Sequence, residues 1–171
     1  MDLVDSKKNL ETLIKEIEDV VKNSFKEAYD EIDKNFNYMC KEILNNSIGN
    51  LSLLDETDLL ESGVELMVKF KNKKYQSLSL LSGGEKSMVA VALIMAIFMY
   101  KPSPFTFFDE IEAALDESNT KRLLRKLKEF TDRSQFILIT HNKHTMKESD
   151  QLYGVTMNKE IGESKILSVV L

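Results

Sequence analysis

The sequence has few of the residues that cross-link or interrupt a chain. Its 171 residues include one cysteine, Cys40, which excludes an internal disulfide and a cysteine-rich metal site. No proline precedes Pro102, so nothing breaks a helix in the first third of the chain. There is no apolar signal region at the start. The longest apolar run, Met88 to Tyr100, is shorter than the ~20 residues that a membrane span needs. We therefore expect a cytoplasmic protein without a membrane segment.

The sequence also lacks an excess of basic charge. The net charge is -5, and residues 1–50 hold seven lysines against eleven acidic residues. A basic surface that would indicate direct nucleic-acid binding is therefore not predicted, least of all in the first third of the chain. Hydrophobic residues make up 43% and charged residues 30% of the chain, which is typical of a soluble globular domain.

A long helix is predicted for the first third of the chain. Its apolar residues recur at steps of three and four with an eleven-residue repeat, which gives a nearly straight stripe. A lone helix cannot bury such a stripe, so the helix needs a partner. We expect residues 1–33 to be the stub of a coiled-coil arm and residues 34–171 to be a separate lobe; a complete helical domain is the alternative. The stripe consists of Ile14, Ile17, Val21, Phe25, Ala28, Ile32, Phe36, Met39 and Ile43.

The remainder of the chain has an α/β pattern. Turn residues at 45–50 end the long helix, and two short extended stretches follow before the pattern alternates between strand and helix. The continuous apolar run Phe105–Phe108 predicts a strand that is buried on both faces. We expect a mostly parallel sheet flanked by helices and preceded by the long helix. The predicted elements are strands Leu51–Leu54 and Val64–Phe70, helix Gly84–Tyr100, strand Phe105–Phe108, helix Glu117–Phe130, and strands Phe136–Thr140, Leu152–Met157 and Lys165–Val170.

A first chemical motif is the run Leu-Ser-Gly-Gly-Glu at positions 81–85. Ser82 can cap the helix that starts there, and Gly83 and Gly84 leave the backbone without shielding side chains. Free N–H groups and the helix dipole would then favour an anion in front of the helix. Taken alone, the run is equally consistent with an ordinary helix start.

A second motif is the acidic pair Asp109-Glu110 at the end of the apolar run. Ligands of α/β proteins bind at the carboxyl ends of parallel strands. There, Asp109 could hold Mg²⁺ through its water shell and Glu110 could deprotonate an attacking water. The alternative is a pair of acids that caps the next helix. Asp116 follows six residues after Glu110.

A histidine follows the next predicted strand. His141 comes directly after Phe136–Thr140, so we expect it at the same edge of the sheet as Asp109 and Glu110. An imidazole in that position could hydrogen-bond to a phosphate or to the attacking water. His144 is expected on the surface, with no role.

In this order, the motifs resemble those of the ABC ATPases: signature motif, Walker B strand, D-loop and switch histidine. Narrower stretches resemble the structural maintenance of chromosomes (SMC) family. They are Leu78–Lys86, Lys101–Phe105, Gln135–Phe136, Ile139–Lys143, Thr145–Met146 and Leu152–Met157. The chain departs from the family at Lys69–Tyr75, which lacks a Pro-Pro-Gly, and at Glu112, where the family usually has Asp. These departures leave the subfamily open.

The sequence has no phosphate-binding loop of the Walker A type, because none of its six glycines precedes a lysine. The resemblance implies that this loop belongs to an N-terminal head lobe and that the chain is the C-terminal half of the head. Asp109, Glu110 and His141 would then serve the ATP and Mg²⁺ held with that lobe. Ser82, Gly83 and Gly84 would contact the ATP of a second head, with Asp116 at the dimer seam. A kleisin subunit, and DNA through the full complex, are the further partners implied.

Three other functions remain open at this stage. The chain could belong to an SMC-related DNA-repair ATPase, which shares the motifs. A transporter subunit fits less well, because it would normally carry its own phosphate-binding loop. A different class is a non-catalytic module that binds the complementary lobe or kleisin through exposed apolar surface.

Overall fold

The computed structural model of the chain describes residues 2–55, 57–158 and 161–170. Met1, the first residue of the predicted arm stub (1–33), and Leu171, the last residue of the predicted lobe (34–171), lie outside these ranges. The chain divides into two compact units, Met1–Ser103 and Pro104–Leu171. The predicted division at residue 33 stays a prediction. The elements are α1 (Asp2–Ile43), β1 (Ile48–Leu53), β2 (Val64–Lys69), β3 (Gln76–Ser77), a 3₁₀ turn (Leu78–Leu80), α2 (Gly83–Tyr100), β4 (Phe105–Asp109), α3 (Glu117–Glu129), β5 (Gln135–Ile139), α4 (Lys143–Glu148), β6 (Gln151–Asn158) and β7 (Glu163–Val170).

The first helix changes character along its length. The predicted stripe is present, but Ile14 and Ile17 are each more than half exposed, whereas Phe36, Met39 and Ile43 are fully buried. The first half of the stripe therefore has no cover within the described residues. The helix ends where Asn45 and Asn46 adopt positive φ angles of 53° and 60°. Asparagine tolerates this left-handed conformation, so the turn residues of the sequence do terminate the helix.

The second half of α1 packs on an antiparallel sheet and on α2. The sheet has the strand order β1-β2-β3, and Leu51 in β1 pairs with Leu66 in β2. Two side chains of α1 fix β1: the Tyr29 hydroxyl donates to the Leu51 carbonyl at 2.8 Å, and the Leu51 N–H donates to Asp33 at 2.6 Å. The two predicted strands of this region are confirmed, with no bound shifted by more than three residues, whereas the two-residue β3 was not predicted.

One glycine is required by packing in this core. A Cβ on Gly49 would lie 2.4 Å from Cys40 Sγ and 2.8 Å from the Phe36 ring. Cys40 is fully buried, and this burial raises the pKa of its thiol to about 12. The thiol therefore stays protonated at neutral pH, and Cys40 acts as a small apolar side chain.

Helix α2 is long and apolar enough to cross a membrane by length and composition alone. A core helix of a soluble protein passes the same test. Here α2 packs against α1, and Val89, Ala92, Met95 and Ala96 are all buried. This packing covers one face of the helix, whereas Ile94 and Ile97 are each 46% exposed.

The second unit contains one parallel strand pair and one hairpin. Strands β4 and β5 are parallel and are connected through α3, with Asp109 in register with Ile139. Strands β6 and β7 pair antiparallel, with Gly154 in register with Leu167. The predicted strands and the helix over 117–130 are confirmed within two residues, and α4 was not predicted.

The prediction of a mostly parallel sheet is wrong, because only β4 and β5 pair in parallel among the described strands. The connections between β1 and β2 and between β6 and β7 are too short for the crossover that parallel strands require, so these pairs are antiparallel.

The expected burial of β4 on both faces is also wrong. Phe108 is buried and its ring stacks on Phe136 at 6.1 Å. Phe105 and Phe107, on the opposite face, are more than half exposed, as is Ile139 of β5. An apolar run marks surface that favours burial, but it does not say what covers that surface.

Replacing Gly49 with alanine should destabilise the first unit, because the added methyl group would overlap Cys40 and Phe36. We expect a loss of about 1–3 kcal/mol in the free energy of unfolding, as for other overpacked cores. Chemical denaturation followed by circular dichroism measures it. The matched control is Gly154→Ala, whose Cβ meets its nearest atoms at 3.9 and 4.0 Å. Equal stability of the two variants would contradict this account of Gly49.

Candidate functional site

The carboxyl ends of β4 and β5 lie side by side and carry the predicted catalytic residues. Asp109 is the last residue of β4, and Glu110 follows it directly. His141 comes two residues after the end of β5. Because the strands are parallel and in register, the structure brings Glu110 and His141 together although 31 residues separate them. This confirms the expectation that they share one edge of the sheet.

Glu110 and His141 are in direct contact. His141 Nδ1 lies 3.0 Å from Glu110 Oε1. The side chains are 80% and 52% exposed, respectively, so solvent screens their attraction and the pair adds little stability. Its importance is geometric: an ionisable carboxylate and an imidazole share one solvent-accessible position, where a water molecule can reach both.

The backbone at Glu110 is strained. Its φ angle is +46°, a left-handed conformation that costs a residue other than glycine about 1–2 kcal/mol. The Glu110 N–H donates to the Ile139 carbonyl at 2.9 Å, and the Ala113 N–H donates back to the Glu110 carbonyl at 2.9 Å. These hydrogen bonds hold the turn that directs the Glu110 side chain towards the β5 edge. Such strain is often found at functional sites.

Glu112 was identified in the sequence only as a departure from a family pattern. In the structure it is a buried acid, 5% exposed. Its Oε1 accepts hydrogen bonds from the hydroxyl groups of Thr140 and Thr145. The sequence signal that could have identified this contact is the pair of threonines that flank His141.

An open, polar pocket lies beside the contact between Glu110 and His141. It is lined by Glu110, Glu112, Ala113, Leu115, His141 and Asn142. Asn142 was not predicted to have a role; its side chain caps α4 by accepting the His144 N–H at 2.8 Å. His144, expected on the surface without a role, is partly exposed, and its Nε2 lies 3.3 Å from Glu117.

The other two acidic candidates, Asp116 and Asp109, do not take part in the contact between Glu110 and His141. Asp116 is the N-cap of α3 and accepts the Asn119 N–H at 2.7 Å, so it has a structural role whatever else it does. Asp109 is exposed at the strand end. Among the described residues, no group of three or more His, Cys, Asp and Glu could hold a metal ion. Mg²⁺ needs only one or two protein carboxylates and otherwise takes water and phosphate oxygens, so the single exposed carboxylate of Asp109 is compatible with this ion.

The motif at 81–85 lies in the other unit and forms the start of α2. Ser82 and Glu85 make a capping box: the Ser82 hydroxyl accepts the Glu85 N–H, and the Glu85 carboxylate accepts the Ser82 N–H at 3.1 Å. Contacts from Lys73 and Ser82 lower the pKa of Glu85 below its usual value. The cap is therefore fully stabilising above the usual carboxyl pKa and weakens as the pH falls through the lowered value.

Gly83 is not required by the fold. Apart from its chain neighbours and the backbone of its own helix, no heavy atom of the described residues lies within 4 Å of the position of a Cβ on Gly83, and its φ angle is not positive. Both Gly83 and Gly84 are exposed. A glycine that neither packing nor backbone conformation requires leaves open space in front of a helix N-terminus, where an anion is favoured.

Comparison with solved structures defines the class of protein. The chain is similar to the Smc head domain of Pyrococcus furiosus bound to the C-terminal domain of ScpA, with a TM-score of 0.85 and 35% identity over 96% of this chain and 41% of that one. It also resembles a structure described as "Structural biochemistry of ATP-driven dimerization and DNA stimulated activation of SMC ATPases". That match has a TM-score of 0.79 and 34% identity over 86% of this chain and 89% of the other. The fold is therefore the α/β fold of these SMC head structures.

Sequence comparison defines the family. The family model "RecF/RecN/SMC N terminal domain" matches residues 3–163. The chain is also 64% identical, over 98% of its length, to the chromosome partition protein Smc of Fusobacterium nucleatum. The chain belongs to the SMC family. It spans about 14% of the length of that relative. The family description names an N-terminal domain, which does not support the expected C-terminal half.

The N-cap at Asp116 can be tested separately from any role in a dimer. Asp116→Ala removes the acceptor of the Asn119 N–H and should lower the free energy of unfolding by about 1 kcal/mol. Asp116→Asn keeps a side-chain oxygen and should retain most of that stability. Thermal or chemical unfolding measures both. If alanine were tolerated as well as asparagine, the contact would have no stabilising role.

Proposed function

We propose that the chain is the C-terminal lobe of the ATPase head of an SMC chromosome-partition protein, and that it hydrolyses ATP only together with an N-terminal lobe. The observation that supports this most directly is the contact of Glu110 with His141 at the carboxyl ends of two parallel strands, in a chain without a phosphate-binding loop.

The lobe assignment rests on the motifs, against the N-terminal wording of the family description. A lobe that grips the phosphates needs a glycine-rich loop ending in Gly-Lys, and no glycine of this chain precedes a lysine. The chain instead has the sequence Leu-Ser-Gly-Gly-Glu, followed by Asp109-Glu110 and His141. In the proposed head, Asp109, Glu110 and His141 complete a nucleotide site whose phosphate-binding loop is provided by the other lobe.

The proposed reaction is in-line attack of water on the γ-phosphorus of ATP. Glu110 orients the water and accepts its proton as the new P–O bond forms and the bond to the β-phosphate oxygen breaks. His141, held against Glu110 at 3.0 Å, hydrogen-bonds to the γ-phosphate or to the same water. Asp109 would hold Mg²⁺, which would neutralise charge on the β- and γ-phosphates.

The signature residues would act on the nucleotide of a second head. Ser82, Gly83 and Gly84 would contact the γ-phosphate of ATP that the other head holds, and Asp116 would lie at the seam between the heads. The open space at Gly83 supports this role, since a phosphate can approach the N–H groups of α2 without meeting a side chain.

The further partners are those that the solved relatives suggest. One of these structures contains the C-terminal domain of ScpA, and the description of the other names ATP-driven dimerization and stimulation by DNA. For this chain we propose a kleisin partner, a second head, and DNA contact through the full complex. The location would be cytoplasmic and chromosome-associated.

A second candidate function is that of a non-catalytic module that binds its complementary lobe or kleisin. The observation in its favour is the uncovered apolar face of β4 and β5, where Phe105, Phe107 and Ile139 are all more than half exposed. Exposed apolar surface of this kind favours association. The related DNA-repair ATPase remains the alternative within the same fold class.

The ATPase proposal predicts negligible hydrolysis by the chain alone and steady turnover after a matching N-terminal lobe is added. Glu110→Gln in the mixture should lower kcat by about 10²–10⁴-fold, the usual contribution of a general base. Phosphate release measures both rates, and nucleotide binding checks that the mixture assembles. Turnover by the isolated chain that Glu110→Gln abolishes would refute the need for a second lobe. An assembled mixture without turnover would favour the non-catalytic module.

If Gly83 contacts the nucleotide of a second head, a substitution there should impair dimerisation of heads without lowering the stability of the fold. Gly83→Ala should leave the melting temperature unchanged or slightly raised, because the methyl group enters open space and alanine favours helix. It should nevertheless abolish ATP-dependent association of complete heads. Analytical ultracentrifugation in a Glu110→Gln background, which keeps ATP intact, measures this association. The control is Gly154→Ala, and normal dimerisation of Gly83→Ala would contradict the role.

A further inference from the structure

Glu112 forms a connection between the two segments that carry the catalytic candidates. It lies two residues after Glu110, yet its side chain is almost fully buried. Its Oε1 accepts a hydrogen bond from Thr145 Oγ1 at 2.9 Å and another from Thr140 Oγ1. A buried carboxylate is costly unless such partners satisfy it, so these hydrogen bonds strongly restrict its position.

The two threonines bracket His141. Thr140 precedes it directly, and its hydroxyl oxygen also accepts the Asn142 N–H at 2.9 Å. Thr145 lies in α4 and is 1% exposed. Glu112 therefore holds the segment on both sides of His141, and both chain neighbours of the histidine are hydrogen-bonded within the same network.

The contact between Glu110 and His141 cannot fix its own geometry. Both side chains are more than half exposed, and exposed pairs of this kind are weak and mobile. The hydrogen bonds of Glu112, one buried and one partly buried, are stronger constraints, because breaking one leaves a polar group unsatisfied away from bulk water.

We propose that Glu112 is a positioning residue that sets His141 against Glu110 through Thr140 and Thr145. Its side chain is only 5% exposed and accepts hydrogen bonds from both threonine hydroxyls, so it acts by holding the segment around His141 to the turn that carries Glu110. The effect of Glu112 on hydrolysis rests on the proposed function, whereas its effect on the position of His141 does not. The experiment therefore has two arms, one for each effect.

The first arm measures geometry in the full chain by NMR. The His141 ring signals should shift when Glu110→Gln is introduced, because the two groups are in contact. In a Glu112→Met background, which keeps the volume but removes the acceptor, that response should be largely lost. Glu112→Gln keeps a side-chain oxygen and should retain most of the response. The melting temperature of each variant checks that it is folded.

A second pair of variants covers the case in which Glu112→Met does not fold. Thr140→Val removes the hydroxyl with little change in shape, and Thr140→Ser retains it. The inference predicts a reduced His141 response in the valine variant and a normal one in the serine variant. A response equal to wild type in a folded Glu112→Met or Thr140→Val chain would overturn it.

The second arm measures kinetics in the head reconstituted with the N-terminal lobe. Glu112→Met should lower kcat with little change in KM, and His141→Ala should cost less in that background than in wild type, because the histidine is already misplaced. Fully additive losses would overturn the positioning role. If the wild-type mixture had no activity, the proposed function would fail, while the NMR arm would still decide the role of Glu112.

Discussion

The parallel pairing of β4 with β5 is the constraint on which the candidate site depends. It places Asp109 beside Ile139, so that the segments that leave both strands emerge at one edge. Glu110 then turns into a left-handed conformation and donates its N–H to the Ile139 carbonyl. The backbone strain at Glu110 is thus offset by a hydrogen bond that exists only because the strands are parallel and in this register.

Burial divides the residues around this edge into two kinds. Glu110 and His141 are exposed and free to meet a substrate, whereas Glu112 and Thr145 are buried and hydrogen-bonded. Weak exposed contacts would allow the proposed catalytic groups to exchange partners with water and phosphate. Strong buried contacts keep the segments that carry them at a fixed separation. The proposed nucleotide site would need both.

The glycines show how similar residues can serve different purposes. Gly49 is required by packing, because any side chain there would overlap Cys40 and Phe36. Gly83 is required by nothing within the described residues, and its position at the start of α2 suggests a partner from outside the unit. The uncovered stripe of α1 and the exposed phenylalanines of β4 are further apolar surface that a partner could cover. The chain spans about 14% of the length of its relative.

The sequence by itself determined the long helix, most strands, the capped start of α2 and the family, because periodicity, turn residues and contiguous motifs are local properties. It also placed Glu110 and His141 at one sheet edge, since both follow apolar strands. It did not determine sheet direction, which depends on connection length and pairing, or the exposure of Phe105 and Phe107, which depends on what covers them. The contact of Glu112 with Thr140 and Thr145 was decided only by the tertiary structure, because a buried acid and its distant partners are recognisable only after the chain has folded.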